Sequence, residues 1–361
     1  MNYKTIELLL LQLEESFSKS RSNIYSDKKK ETHFSELFRL FKSIKSTDFK
    51  SFSLVEVNLH VEILNYIFKG LEFLDNSTLN IIPYEIVSCL EIALHEWIKN
   101  DNFIIVTSLS NRHLDFFFES ENFEYFNNLN SHVKTRYGLS VTNRLIKIVL
   151  PKVLSRDYLS IVVLYHELGH FVDSELHISE KIIINRYGAL EYYCESKRKE
   201  YNHYMEYFAD FFAAQYINDA SNLFLNYIAS NNPDSHTHPS TKKRIEIVNN
   251  FLYGKSISEL DEINKALKSS GNDIFKIRHT PIKINNSDFQ NLIPQNIRNN
   301  SELHYIFKLG WDFWNTSETN FLKKFGSRQK YHVINNLIEK SISNFTIKQK
   351  WREISSEKYL E

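Results

Sequence analysis

The sequence predicts a mainly helical α+β protein with a small sheet, and three observations lead there. Glycine and proline are scarce, 8 and 6 among 361 residues, so few positions break a helix. Apolar residues recur three and four apart near both ends of the chain, which is the period of a helix with one buried face. Two short β-branched runs near the middle have the length and make-up of strands, and the chain carries 27 Phe and 20 Tyr that suit strands as well as helices.

From the N-terminus, Ile6, Leu9, Leu10, Leu13 and Phe17 form the stripe of a first helix. A charged connection, Ser26 to Glu31, leads to a second stripe of Phe34, Leu37, Phe38 and Phe41. Two more helices are expected over 55–73 and 84–99, the latter announced by Pro83 near its first turn. Core packing accounts for all four stripes. After the polar break Asn100 to Asn102, Phe103 to Thr107 reads as a strand, and Leu145 to Leu150 as a second strand that stops at Pro151. Phe116 to Phe118 fits neither period. Ser155, with Arg156 and Asp157 after it, reads as an N-cap with an acidic first turn, opening a helix to Asp173. A helical stretch from Ile183 to Ala229, interrupted once, follows it. A polar turn at Asn231 to Pro233 and a helix over 242–252 come next. Ser270 to Asn300, rich in Asn, Ser and Pro, reads as irregular, and aromatic helices over 303–314 and 331–345 close the chain. The expected organisation is an N-terminal helical region (1–100), a core (101–254) and a C-terminal helical region packed on that core (255–361).

Composition narrows the function classes. Lys plus Arg equals Asp plus Glu at 44 each, so no global field draws the chain to nucleic acid, and no nucleic-acid partner is expected. The short basic runs at Lys28 to Lys30, Lys197 to Lys199 and Lys242 to Arg244 read as solvated faces. Cys89 and Cys194 form no CxxC pair, which fits a reducing compartment such as the cytoplasm. The N-terminus lacks the basic and apolar regions of a signal peptide, and no window approaches the roughly 20 apolar residues of a spanning helix, so no transmembrane segment is expected.

Chemistry concentrates in the run Tyr165 to Phe171, which reads YHELGHF. His166 and His170 are four apart, so both imidazoles leave one helical face a turn from each other. That separation suits two ligands of one tetrahedral zinc ion, at about 2.0–2.1 Å from each nitrogen. Glu167 lies beside the metal position, where it can take a proton from metal-bound water rather than coordinate. The neighbours Ile161 to Leu164, Leu168, Phe171 and Val172 are apolar, and burying two imidazoles and a carboxylate among them is costly without a metal or polar partners. A catalytic zinc needs a third protein ligand. The extended metzincin spacing would place it at 176, which is Leu; His177 misses the register by one. Downstream, Met205 to Ala214 reads MEYFADFFAA, with Glu206 and Asp210 four apart among small and aromatic residues. The alanines permit close approach of two helices. Glu206 would complete the ligand set, and Asp210 would accept the free N–H of a ligating histidine.

HELGH followed by ExxAD resembles the gluzincin metallopeptidases, which use two histidines and a downstream glutamate as zinc ligands. The run His238 to Ile245, HPSTKKRI, is similar to an element of the family containing the CAAX prenyl protease and the HtpX heat-shock protease. The resemblance covers about Ser155 to Leu252. It implies a zincin-like core, with His238 beside the active site polarising the substrate carbonyl or oxyanion and Arg244 supporting the acidic ligand helix. Members of that family are often embedded in membranes, so prenylated or membrane substrates do not carry over to this chain.

The function expected is that of a zinc-dependent endopeptidase acting on a protein or peptide substrate, with Glu167 as general base. Tyr204 and Tyr207 are further possibilities for the oxyanion donor, and His203 and His236 read as surface residues close to these elements. The flanking helices suggest a regulatory partner or self-inhibition. The alternative is a non-catalytic, metal-stabilised scaffold binding a partner through Trp311, Phe313 and Trp314 or through Phe34, Phe38 and Phe41.

Overall fold

The computed structural model describes residues 3–25, 27–78, 83–99, 103–112, 116–120, 123–188, 194–282, 289–316 and 326–357. In chain order the elements are α1 (Tyr3–Ser20), α2 (Lys28–Lys45), α3 (Leu54–Asp75), α4 (Tyr84–Trp97), β1 (Phe103–Ser110), β2 (Phe117–Ser120), α5 (Phe123–Tyr137) and β3 (Arg144–Pro151). They continue with α6 (Val163–Leu176), α7 (Ile178–Tyr187), α8 (Glu195–Ile217), α9 (Ala220–Ala229), α10 (Thr241–Leu252), α11 (Ser258–Ser269), α12 (Asn300–Asn315) and α13 (Ser327–Glu357). The architecture is therefore α+β and mainly helical. No helix of the described residues is long and apolar enough to cross a membrane.

Two compact units divide the chain: Met1–Tyr84 with Asn100–Ser155, and Glu85–Lys99 with Arg156–Glu361. In the first, the predicted stripes become the core. Ile6, Leu10, Leu13 and Phe17 of α1 are all buried, and Phe17 meets the rings of Phe34, Phe38 and Phe41 at centroid distances of 5.0–5.7 Å. α3 starts at a capping box: Ser53 and Glu56 each satisfy the other's backbone N–H. β3 is the central strand of a sheet ordered β1-β3-β2, parallel to β1 and antiparallel to β2.

In the second unit, α6 and α8 pack side by side at a close seam, where Gly169 faces the Ala209 main chain and the Phe212 Cβ. A Cβ built on Gly169 would stand 2.7 Å from the Ala209 Cα and 3.2 Å from its carbonyl oxygen. Only glycine in α6 and a small residue in α8 permit that approach. The far side of α6 is held from α12, where the buried Tyr165 hydroxyl meets His304 Nδ1 at 2.7 Å. At the other end of α8, the Trp97 indole donates to the Tyr216 hydroxyl at 3.1 Å.

Several expectations change. The helix bearing HELGH starts at Val163, not Ser155, because Asp157 folds its own carboxylate back onto the Leu159 N–H at 3.1 Å and the Ser160 hydroxyl at 2.5 Å, closing a turn. It ends at Leu176, where His177 adopts φ 53°, rather than at Asp173. Lys28 to Lys30 belong to α2 rather than to a connection; Asp27 caps that helix by accepting from the Lys30 N–H. The stretch expected over 183–229 consists of parts of α7, then α8 and α9. Its anticipated break coincides in part with residues 189–193, and those residues, like Ser26, Asn100 to Asn102 and 283–288 of the irregular segment, lie outside the described residues. Phe117 to Ser120 form a strand, α5 and α11 were not anticipated, and α13 extends beyond 331–345 at both ends.

Candidate metal centre

α6 and α8 bring the predicted donors together. His166, His170 and Glu206 offer one ligand atom each, all within 4.8 Å of one another. The nearest separations are 3.1 Å between the two histidine Nε2 atoms, 3.4 Å from His166 Nε2 to Glu206 Oε2, and 3.4 Å from His170 Nε2 to Glu206 Oε1. Bonds of about 2.0–2.1 Å at tetrahedral angles place donor atoms about 3.3–3.4 Å apart. The spacing therefore fits one small cation, and two imidazoles with a carboxylate are a donor set suited to zinc.

Around these donors the remaining charges are arranged in order. Asp210, one turn beyond Glu206, holds His166 Nδ1 at 3.0 Å, which directs the Nε2 lone pair at the shared position. Arg244, from α10, forks onto both oxygens of Asp210 at 2.7 and 2.8 Å and stands 3.0 Å from Glu206 Oε2. It is buried, as are His166, Glu206 and Asp210. Despite that proximity, Glu206 Oε2 accepts no well-directed hydrogen bond, and His170 Nδ1 has none either. The two oxygens of Glu206 are thus divided, Oε2 between Arg244 and His166 and Oε1 toward His170, an arrangement that leaves the carboxylate able to ligate a cation. Three carboxylates, Glu167, Glu206 and Asp210, against the single guanidinium of Arg244 leave two negative charges when all are ionised, the complement of a divalent ion.

Protonation follows from this arrangement. Burial pushes the His166 imidazole down, but its bonds to Asp210 and Glu206 outweigh that and lift it to about 9. Glu206 lies well below the usual carboxylate range, since His166, His170 and Arg244 overcome the cost of its burial. Burial also works against ionised Asp210, and Arg244 reverses the effect. Glu167 goes the other way: burial raises it, and the neighbouring histidines only partly offset this.

His238 lies at the open side, more than half exposed, with Nε2 3.5 Å from Glu206 Oε1. Its Nδ1 is 2.8 Å from the Thr237 hydroxyl. Among the other residues singled out, Tyr204 bonds to Glu262 and Arg186, and Tyr207 lies under the Lys243 ammonium, 5.1 Å from its ring centroid, so both have partners of their own. His203 and His236 each address a backbone carbonyl, of Ser235 and Glu195 respectively. Nothing in the residue pattern marks Thr237 or Ser235 as supports of His238. For His203 the one available signal was its place three residues before Glu206, on the same helical face.

Set against protein-family models, characterised proteins and solved structures, the chain matches none.

Proposed function

We propose that the chain is a zinc-dependent endopeptidase with a zincin-like core, hydrolysing peptide bonds of an intracellular protein substrate. The observation that carries this reading is the convergence within 4.8 Å of His166 and His170, on the helix that also bears Glu167, with Glu206 of the neighbouring helix α8. Those three residues would hold zinc, which when bound would supply Lewis acidity toward a water and the scissile carbonyl. Glu167 takes the proton of the attacking water on a carboxylate oxygen and later returns it to the leaving nitrogen. Its burial suits this role, because a carboxylate raised from its ordinary value holds the proton better between the two transfers. The Thr237 hydroxyl lies 2.8 Å from His238 Nδ1, and the tautomer in which it donates there leaves the ring proton on Nε2. At 3.5 Å from Glu206 Oε1 that proton is not consumed by a short hydrogen bond and is available to the developing oxyanion. Asp210 and Arg244 keep His166 and Glu206 in place.

Metal analysis of the purified protein and of Glu167→Gln, with hydrolysis of a proteome-derived peptide library, tests the reading. Bound zinc in both proteins and a loss of hydrolysis of about 10²–10⁴-fold in the variant is the expected result. Hydrolysis that persists in Glu167→Gln removes the base. Bound zinc with no hydrolysis dependent on Glu167 favours a metal-stabilised scaffold.

A further inference from the structure

We infer that His203 is a positioning residue: it tethers the loop that carries His238 and so sets where the His238 imidazole stands against Glu206. The inference rests on reading the site as a peptidase centre. Lys199, His203, Glu206 and Asp210 are spaced four, three and four apart, one stripe along α8. The downstream half of that stripe holds His166 and Arg244. The upstream half grips the loop between α9 and α10. His203 Nε2 lies 2.8 Å from the Ser235 carbonyl, which can only accept, so Nε2 carries the proton. Asn202 donates to the His236 carbonyl at 3.2 Å, and Lys199 pairs with Asp234 at 2.6 Å. That ion pair is largely exposed and so contributes little.

Ser235 passes the constraint to His238. Its N–H donates to the His238 carbonyl at 2.9 Å, and its hydroxyl accepts from the His238 N–H at 2.9 Å. Pro239 then restricts the His238 backbone to extended conformations, and Thr237 fixes the ring. Every polar backbone group of His238 thus depends on Ser235, and the Ser235 carbonyl depends on His203. The His238 imidazole itself is more than half exposed, so the main-chain hydrogen bonds of the loop do much to place it.

The experiment compares His203→Leu with His203→Gln, whose amide can reproduce the Nε2 donor. Steady-state hydrolysis, bound zinc and amide hydrogen exchange across Asp234 to Ser240 are measured on the full chain. His203→Leu should lower kcat about 10–100-fold with KM and zinc unchanged. It should also expose the loop amides to exchange, while His203→Gln recovers both. In a His238→Ala background His203→Leu should cost nothing more, since the two residues act through one position. Wild-type kcat and loop protection in His203→Leu, or a full additional loss in the double variant, overturns the inference. If the wild-type protein shows no hydrolysis dependent on Glu167, the peptidase reading fails with the catalytic role, and unchanged loop exchange in His203→Leu separately refutes the tether.

Discussion

His33 in α2 and His166 in α6 are both removed from solvent, yet they arrive at opposite charge states. His33 lies wholly buried in the first unit, with neither ring nitrogen hydrogen-bonded, and burial alone lowers it to about 4. His166 feels the same burial, but Asp210 and Glu206 reverse it and lift the imidazole to about 9. The two sites differ in what the backbone delivers to them. Around His33 the helices supply leucine and glycine; Leu37 and Gly70 are its neighbours there. Around His166, α8 and α10 supply two carboxylates and a guanidinium that are themselves buried. One environment makes a neutral packing residue. The other makes a receptor for positive charge that favours a proton on His166; on the proposed metal reading, uptake of a cation there would release that proton.

The largest effect that would sharpen this contrast comes from Arg244. Arg244→Met leaves Asp210 and Glu206 buried without their cation, and the second unit should lose about 3–5 kcal/mol, read as a fall in its denaturation midpoint. Zinc should recover part of that loss; a midpoint unchanged without zinc would show that the cluster is not buried as described. Next comes acid. The folded pKa of His33 is depressed, so the folded state binds fewer protons than the unfolded one. Stability is full above the unfolded value of 6.5 and is lost as pH falls from there through about 4. The full loss is about 3 kcal/mol, followed as faster amide exchange in α2. His33→Leu should remove that pH dependence, at a cost near neutral pH below about 1.5 kcal/mol; a variant with the same acid sensitivity would place its origin elsewhere. Smallest is Gly169→Ala. Its methyl would press on the Ala209 backbone, and about 1–3 kcal/mol should be lost. Zinc affinity should fall with it, measured by competition with a chromogenic chelator, because the donors would be levered apart.

What the sequence disclosed follows the same physics. α1 was legible because Ile6, Leu10, Leu13 and Phe17 repeat on one face and all are buried. The donors were legible because His166, His170, Glu206 and Asp210 are chemically conspicuous at helical spacing. α5 and α11 escaped notice since each buries only three residues, Phe126, Leu129 and Val133 in one and Ile263, Ala266 and Leu267 in the other. In α5 that stripe barely rises above a polar background, whereas in α11 Leu260, Ile263 and Leu267 recur at helical spacing and were legible in principle. The start of α6 was misjudged because an aspartate can close a turn on itself as readily as it can open a helix, and Asp157 does the former. His203 and Ser235 were illegible for another reason. The partner of His203 is a main-chain carbonyl 32 residues away, and Ser235 bonds to the main chain of His238 in a polar turn; every residue type offers such atoms alike.

The seam at Gly169 also limits how the site can be altered. Where a helix presses its peptide units directly against another, there is no side chain whose length could be adjusted one methylene at a time. The spacing of the two backbones is thus fixed at the seam, and what remains adjustable is the reach of the donors themselves: Glu206→Asp would draw the carboxylate back by one methylene and widen the receptor.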